Sequence, residues 1–190
     1  MTPFSRTKKK HAPLDENALY DYAVKALGRR MRTVAELKRL MRGKVESTEQ
    51  GEVKIDRVIA RLKAQRYLND TDYATSYARL RQENQRLGKR RVRQDLVQKG
   101  VHAEVIAKTL DTAYEDVNEE ELARRHLERK RIQKPANDKE AARVMRMLVR
   151  AGFSTGVIFK ILKKWDVDEE ALTALEFMDN DGPESSNGER

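Results

Sequence analysis

The chain has 190 residues, no cysteine, 37% charged side chains and a formal net charge of +9. The missing cysteine excludes disulfides, zinc–thiolate centres and thiol nucleophiles. No apolar run approaches the ~18 residues of a membrane span, and the basic stretch Met1–Pro13 lacks the apolar core of a secretory signal, so a soluble protein in a reducing, cytoplasmic setting is expected.

Residues 1–13 read as a basic, disordered head. Glycine and proline are then scarce and apolar residues recur at helical spacing almost throughout, which predicts an all-α chain. Ala18, Leu19, Tyr22, Ala23, Ala26 and Leu27 make one amphipathic face. Thr33 and Glu36 form the Thr-x-x-Glu pattern of a capping box ahead of Val34, Leu37, Leu40 and Met41. Gly43 to Val53 reads as a polar loop, followed by a third helix with Ile55, Val58, Ile59 and Leu62 on one side. Asn69-Asp70-Thr71 reads as a helix start, and Asn118 followed by Glu119, Glu120 and Glu121 as another, where negative charge suits the helix dipole. Lys134 to Asn137 separates two helices. Glu169 to Met178 could form one more, and Asp179 to Arg190 has the composition of a disordered tail.

Internal repetition organises these elements. Arg91–Leu110 and Arg143–Leu162 are identical at nine of twenty positions at an offset of 52. The matches include Val92/Val144, Leu96/Leu148, Gly100/Gly152, Ile106/Ile158 and Leu110/Leu162. They are mostly apolar positions, as a shared core requires, and each glycine sits where a left-handed helix cap is needed. In the first segment Leu40-Met41 aligns with Leu96-Val97 at an offset of 56, whereas Val58-Ile59-Ala60 aligns with Val105-Ile106-Ala107 at 47. The nine-residue difference is assigned to the loop after Gly43. The pattern is one three-helix unit used three times: residues 14–68, 69–115 and 116–165, followed by an acidic, mostly disordered tail at 166–190. Units this short bury too little alone, so stacking into an elongated, curved molecule is expected.

The residues show no catalytic arrangement: no nucleophile beside a base, no phosphate-binding glycine loop, and three histidines without ligand spacing. Catalytic, cofactor and metal sites are all expected to be absent. His102 reads as a helix-end residue, His126 as a surface residue, Trp165 as packing, and Tyr67, Tyr73 and Tyr77 as core.

The charge is unevenly divided. Asp166 to Arg190 carries nine acidic residues against one basic, while the first 165 residues hold 39 basic and 22 acidic side chains, a net of +17. Such a field draws in a polyanion or an acidic protein surface. The acidic run could in turn shield the basic face. Opposite Val144, Leu148 and Val149 lie Arg143, Arg146 and Arg150, at i, i+3 and i+7 on one stripe. Their equivalents are read as Arg91, Gln94 and Gln98, and as Ala35, Lys38 and Arg42. Further clusters are Arg29, Arg30 and Arg32; Lys89, Arg90 and Arg93; and Arg124, Arg125, Arg129, Lys130, Arg131 and Lys134. Each could pair with phosphates or carboxylates.

At Tyr67-Leu68-Asn69-Asp70, Tyr73-Ala74, Tyr77 and Arg81 the chain resembles the RecX family, bacterial regulators of the RecA recombinase. The resemblance continues through Gly88, Arg91, Leu96 and Lys99-Gly100-Val101, and returns in Lys139–Lys160 with Arg143, Leu148, Gly152 and Phe153. It covers residues 14–165. It implies tandem three-helix units that bind the RecA filament on DNA and inhibit its ATPase, strand-exchange and coprotease activities, with single- or double-stranded DNA as a further partner; a monomer is expected. The competing expectation is a sequence-nonspecific DNA-binding protein whose helix pairs act like helix-turn-helix elements.

Overall fold

The computed structural model describes residues 12–167. Among these it contains nine helices and no strand: α1 (Glu16–Arg29), α2 (Val34–Arg42), α3 (Glu49–Ala64), α4 (Asp70–Gln85), α5 (Lys89–Gln98), α6 (Ala103–Tyr114), α7 (Glu119–Arg129), α8 (Asp138–Arg150) and α9 (Thr155–Lys163). Two compact units emerge: one takes the described residues up to Ala74 together with Val97–Ile106, the other Thr75–Leu96 and those from Ala107 onward. The acidic segment expected to hold a helix at Glu169 to Met178, and most of the basic head, lie outside the described residues.

In the first unit α1, α2 and α3 pack against one another around Leu19, Ala23, Leu37, Met41, Ile55, Val58 and Leu62. Helix α2 opens with the anticipated capping box: Glu36 N donates to Thr33 Oγ1 at 3.1 Å and Thr33 N to Glu36 Oε2 at 3.3 Å. The Thr33 hydroxyl is fully buried and donates to the Lys99 carbonyl at 2.6 Å. Asp70 Oδ1 accepts from Val34 N at 2.9 Å, satisfying another free donor of the same helix start. At the head of α4, Asn69 Oδ1 accepts from Thr71 N at 2.9 Å, as a helix-start side chain should.

In the second unit α9 packs against both α7 and α8 around Leu122, Leu127, Val144, Met145, Leu148, Phe153, Ile158 and Leu162, with Trp165 at the edge. Helix α8 ends on Gly152 at φ 88°; Gly152 N donates to Val149 O at 2.9 Å and Phe153 N to Leu148 O at 3.2 Å. These two bonds make the left-handed closure that the glycine position implies. Gly88 is buried in contact with this turn, its N–H donating to Ala151 O at 2.8 Å, and a Cβ there would collide with the Gly152 carbonyl.

Four expectations need correction. The polar loop after Gly43 is shorter than read: Thr48 Oγ1 accepts from Gly51 N at 3.3 Å and starts α3 at Glu49, so the extra residues go into a 16-residue helix, against 12 for α6 and 9 for α9. The i, i+4 buried pairs are Leu37/Met41, Val92/Leu96 and Val144/Leu148, which makes Met41, not Leu40, the repeat counterpart of Leu96, an offset of 55 in place of 56. Tyr67 is 59% exposed, because it follows the left-handed Arg66 (φ 60°) that ends α3 and is turned outward. His126 is buried, not on the surface, since α7 presents it to Phe153 with ring centroids 5.8 Å apart, edge to face.

Candidate interaction surface

The corrected register redistributes the basic stripe. The positions equivalent to Arg143, Arg146 and Arg150 are Arg91, Gln94 and Gln98 on α5, and Glu36, Arg39 and Gly43 in and after α2. A common basic face on all three helices does not survive; α8 alone carries it. Lys38 and Arg42 lie one position round the helix and are held by α3. Lys38 Nζ reaches Asp56 at 2.6 Å. Arg42 grips Glu52 with Nε at 2.7 Å and Nη2 at 3.1 Å. This fork holds the Glu52 carboxyl below its usual range.

Other candidates are likewise occupied within the fold. Arg32 is half-buried, its Nε donating to Ala26 O at 3.3 Å at the end of α1. Lys89 pairs with Asp111 at 2.7 Å, lowering that carboxyl's pKa. Arg91 meets Asp95 at 3.0 Å, and Asp95 also accepts from the Tyr77 hydroxyl at 3.0 Å. On α7, Arg124 pairs with Glu120 at 2.8 Å and Arg125 with Glu121 at 2.7 Å, both one turn apart.

Arg29, Arg30, Arg90, Arg93, Arg129, Lys130, Arg143, Arg146 and Arg150 are exposed and make no ion pair with a described residue. Lys89, Arg90 and Arg93 line one open cavity of ≈ 290 Å³ with Asp111, Glu119 and Ser154. Its acidic wall is partly committed, since Glu119 accepts from Ser154 N at 2.7 Å and from Ser154 Oγ at 2.8 Å. Arg129 and Lys130 flank His126 in a second cavity of ≈ 330 Å³. The His126 Nδ1–H donates to Gln85 O at 3.0 Å, and burial, opposed by that bond and aided by Lys130, holds its pKa below the ordinary 6.5.

Two exposed cations on α2 and α8 were not among the candidates. Lys139, four residues before Arg143, extends the α8 face by a turn, and Arg39 takes the first-repeat place of Arg146. The spacing of buried pairs was the signal for both. Among the described residues no cluster of His, Asp or Glu could hold a metal ion, and no helix is long and apolar enough to cross a membrane.

A family model described as the second three-helix domain of RecX matches residues 69–110, and one described as its third three-helix domain matches residues 118–162. The regulatory protein RecX of Leptothrix cholodnii is 33% identical over 148 residues, covering 78% of this chain and 89% of that protein. The chain belongs to the RecX family. The regulatory protein RecX of Bacillus mycoides is 32% identical over 166 residues, which cover 85% of this chain but only 60% of that longer RecX. Two RecX crystal structures share the fold: one at TM-score 0.65 and 23% identity, covering 78% of this chain and 71% of its own, and that from Lactobacillus salivarius at 0.62 and 22%, covering 80% and 96%. Membership in RecX makes this chain a member of a family of regulatory proteins built from tandem three-helix domains.

Proposed function

We propose that this RecX-family chain regulates the RecA recombinase by binding its filament on DNA and inhibiting ATP hydrolysis, strand exchange and coprotease activity. It does so by occupying a surface, without bond-making chemistry of its own, and the three-helix repeats 14–68, 69–115 and 116–165 are its building units. The observation that carries the reading is the α8 face. Arg143, Arg146 and Arg150, with Lys139, stand exposed on one side of a helix whose other side is anchored by Val144, Met145 and Leu148. Arginine there offers flat, multiply donating contacts to phosphate oxygens and to carboxylates alike, which suits a filament that presents both. Arg90 and Arg93, and Arg129 and Lys130, supply further cations of the same unit.

The test is ATP hydrolysis by RecA on single-stranded DNA as the protein is titrated in. Inhibition at amounts well below one protein per recombinase supports filament regulation. Unchanged hydrolysis and strand exchange at every ratio refute it. Tight, steeply salt-dependent binding to bare DNA with no effect on RecA would instead favour the sequence-nonspecific DNA binder; ~6–10 phosphate contacts would cost ~10³–10⁵ in affinity between ~50 and ~200 mM salt.

A further inference from the structure

We propose that the acidic segment 168–190 docks on the basic face of α8 in the free protein and must be displaced before a polyanionic or acidic partner binds there. The inference rests on the reading of that face as the contact surface. Lys139, Arg143, Arg146 and Arg150 follow one another at helical spacing, all exposed, and none pairs with a described carboxylate. Some neighbouring cations are paired, although Arg129 and Lys130 at the end of α7 are not. On α7, Arg124 and Arg125 have glutamates one turn away, and Lys164 beyond α9 reaches Glu120 at 2.6 Å. The acids of α8 itself sit in its first turn, where Glu140 is turned back to accept from Ala136 N at 2.9 Å. The four cations of the α8 face thus form no ion pair with a described carboxylate, Asp138 of the first turn included.

A counter-charge follows in the sequence. Residues 168–190 hold eight acidic side chains and one basic, Arg190. The point of departure is fixed in space: Asp166 Oδ2 accepts from Lys134 Nζ at 2.7 Å, and Val167 packs on the core beside Trp165. Lys134 lies three residues before Asn137, the N-cap of α8, so the acidic segment leaves the fold beside the end of α8 where Lys139 begins the stripe. From Lys139 to Arg150 the face runs about 16 Å at ~1.5 Å per residue, whereas the segment can extend to roughly 75 Å. Tethered so close, its carboxylates act at an effective concentration of order millimolar, and even a weak attraction keeps the face covered at low salt.

The test needs no recombinase. In the full chain, the eight acids of 168–190 are changed to their amides, the four cations of α8 to glutamine, or both, and binding to a short oligothymidylate is followed by fluorescence anisotropy. At low salt the amide variant should bind roughly tenfold more tightly than the parent. That gain should vanish in the glutamine background and shrink towards unity near 0.5 M salt. An equal gain in both backgrounds would mean that the segment acts only through net charge, and no gain at all would mean that it leaves the face open; either overturns the proposal. Zero-length carbodiimide coupling of the unaltered chain reads the contact directly: segment carboxylates should join Lys139 in preference to the exposed Lys25 and Lys108, and coupling to those lysines but not Lys139 contradicts docking. A chain without effect on RecA would refute the filament reading and leave both of these results standing.

Discussion

Replacing Gly152 by alanine perturbs the second unit at the turn that closes α8. Gly152 holds φ 88°, where an L side chain is disfavoured by ~1–2 kcal/mol. A Cβ would also collide with the backbone nitrogen of Arg91, at the start of α5, so the neighbour that must yield is main chain and not a flexible side-chain end. Overpacking of that kind costs ~1–3 kcal/mol. The alternative, letting residue 152 leave the left-handed region, breaks the bonds to Val149 O and Leu148 O and withdraws Phe153, which is 1% exposed. The combined loss is about 3 kcal/mol, or roughly 6–12 °C in Tm for a chain of this size. Urea denaturation followed by far-ultraviolet circular dichroism measures it. Gly28→Ala is the matched control: it lies within α1 with nothing inside 4 Å of a new Cβ and should gain roughly 0.5–1 kcal/mol. A Gly152→Ala variant that loses less than about 1 kcal/mol would refute both the strain and the packing argument.

Arg131 ends α7 at φ 53° and is exposed, so Arg131→Gly should stabilise by about 1 kcal/mol in the same assay; a loss would show that its side chain holds the turn. Thr33→Ala removes the capping oxygen and the buried donor to Lys99 O, and should cost ~1–3 kcal/mol, with Thr33→Ser recovering most of it. His126 has a folded-state pKa below its unfolded value near 6.5, so the unfolded chain binds the proton first. Its contribution is therefore full above that pH and is lost as pH falls through 6.5 towards the depressed folded value. His126→Gln should flatten the decline in unfolding free energy between pH 7.5 and 5, and an unchanged slope would assign the acid sensitivity elsewhere.

The helix starts and stops were legible because they are local. Thr33 with Glu36, Asn69, Asn118 and the two left-handed glycines each act within one turn of the residues that define them. What failed was decided over longer range. Aligning by residue type paired Leu40 with Leu96, but the packing of α2 against α1 and α3 buries Leu37 and Met41 and sets the register one residue away. Tyr67 belongs to an apolar run, yet the turn at Arg66 directs it outward. No short-range pattern distinguishes the His126 ring, which meets a carbonyl 41 residues away, from a solvated one.

The candidate surface divides along the same line. The arginines of α8 are visible as a spacing, and their exposure follows from the apolar positions opposite them. The pairing of Lys38 with Asp56 and of Lys89 with Asp111 spans 18 and 22 residues and depends on which helices meet. Exposed pairs of this kind contribute at most ~1 kcal/mol, so they lower the local field more than they lock the side chains. The proposed contact surface is therefore ranked with α8 first, then the cations flanking the two cavities, then the paired residues.

The most direct test of the central claim is the affinity of the unaltered chain and of the Arg143→Glu, Arg146→Glu, Arg150→Glu variant for RecA filaments assembled on single-stranded DNA. The account predicts a loss of at least tenfold with helical content unchanged by circular dichroism, because all three side chains are solvent-facing and lack ion pairs with the described residues. Equal affinity of the two proteins for the filament would contradict it.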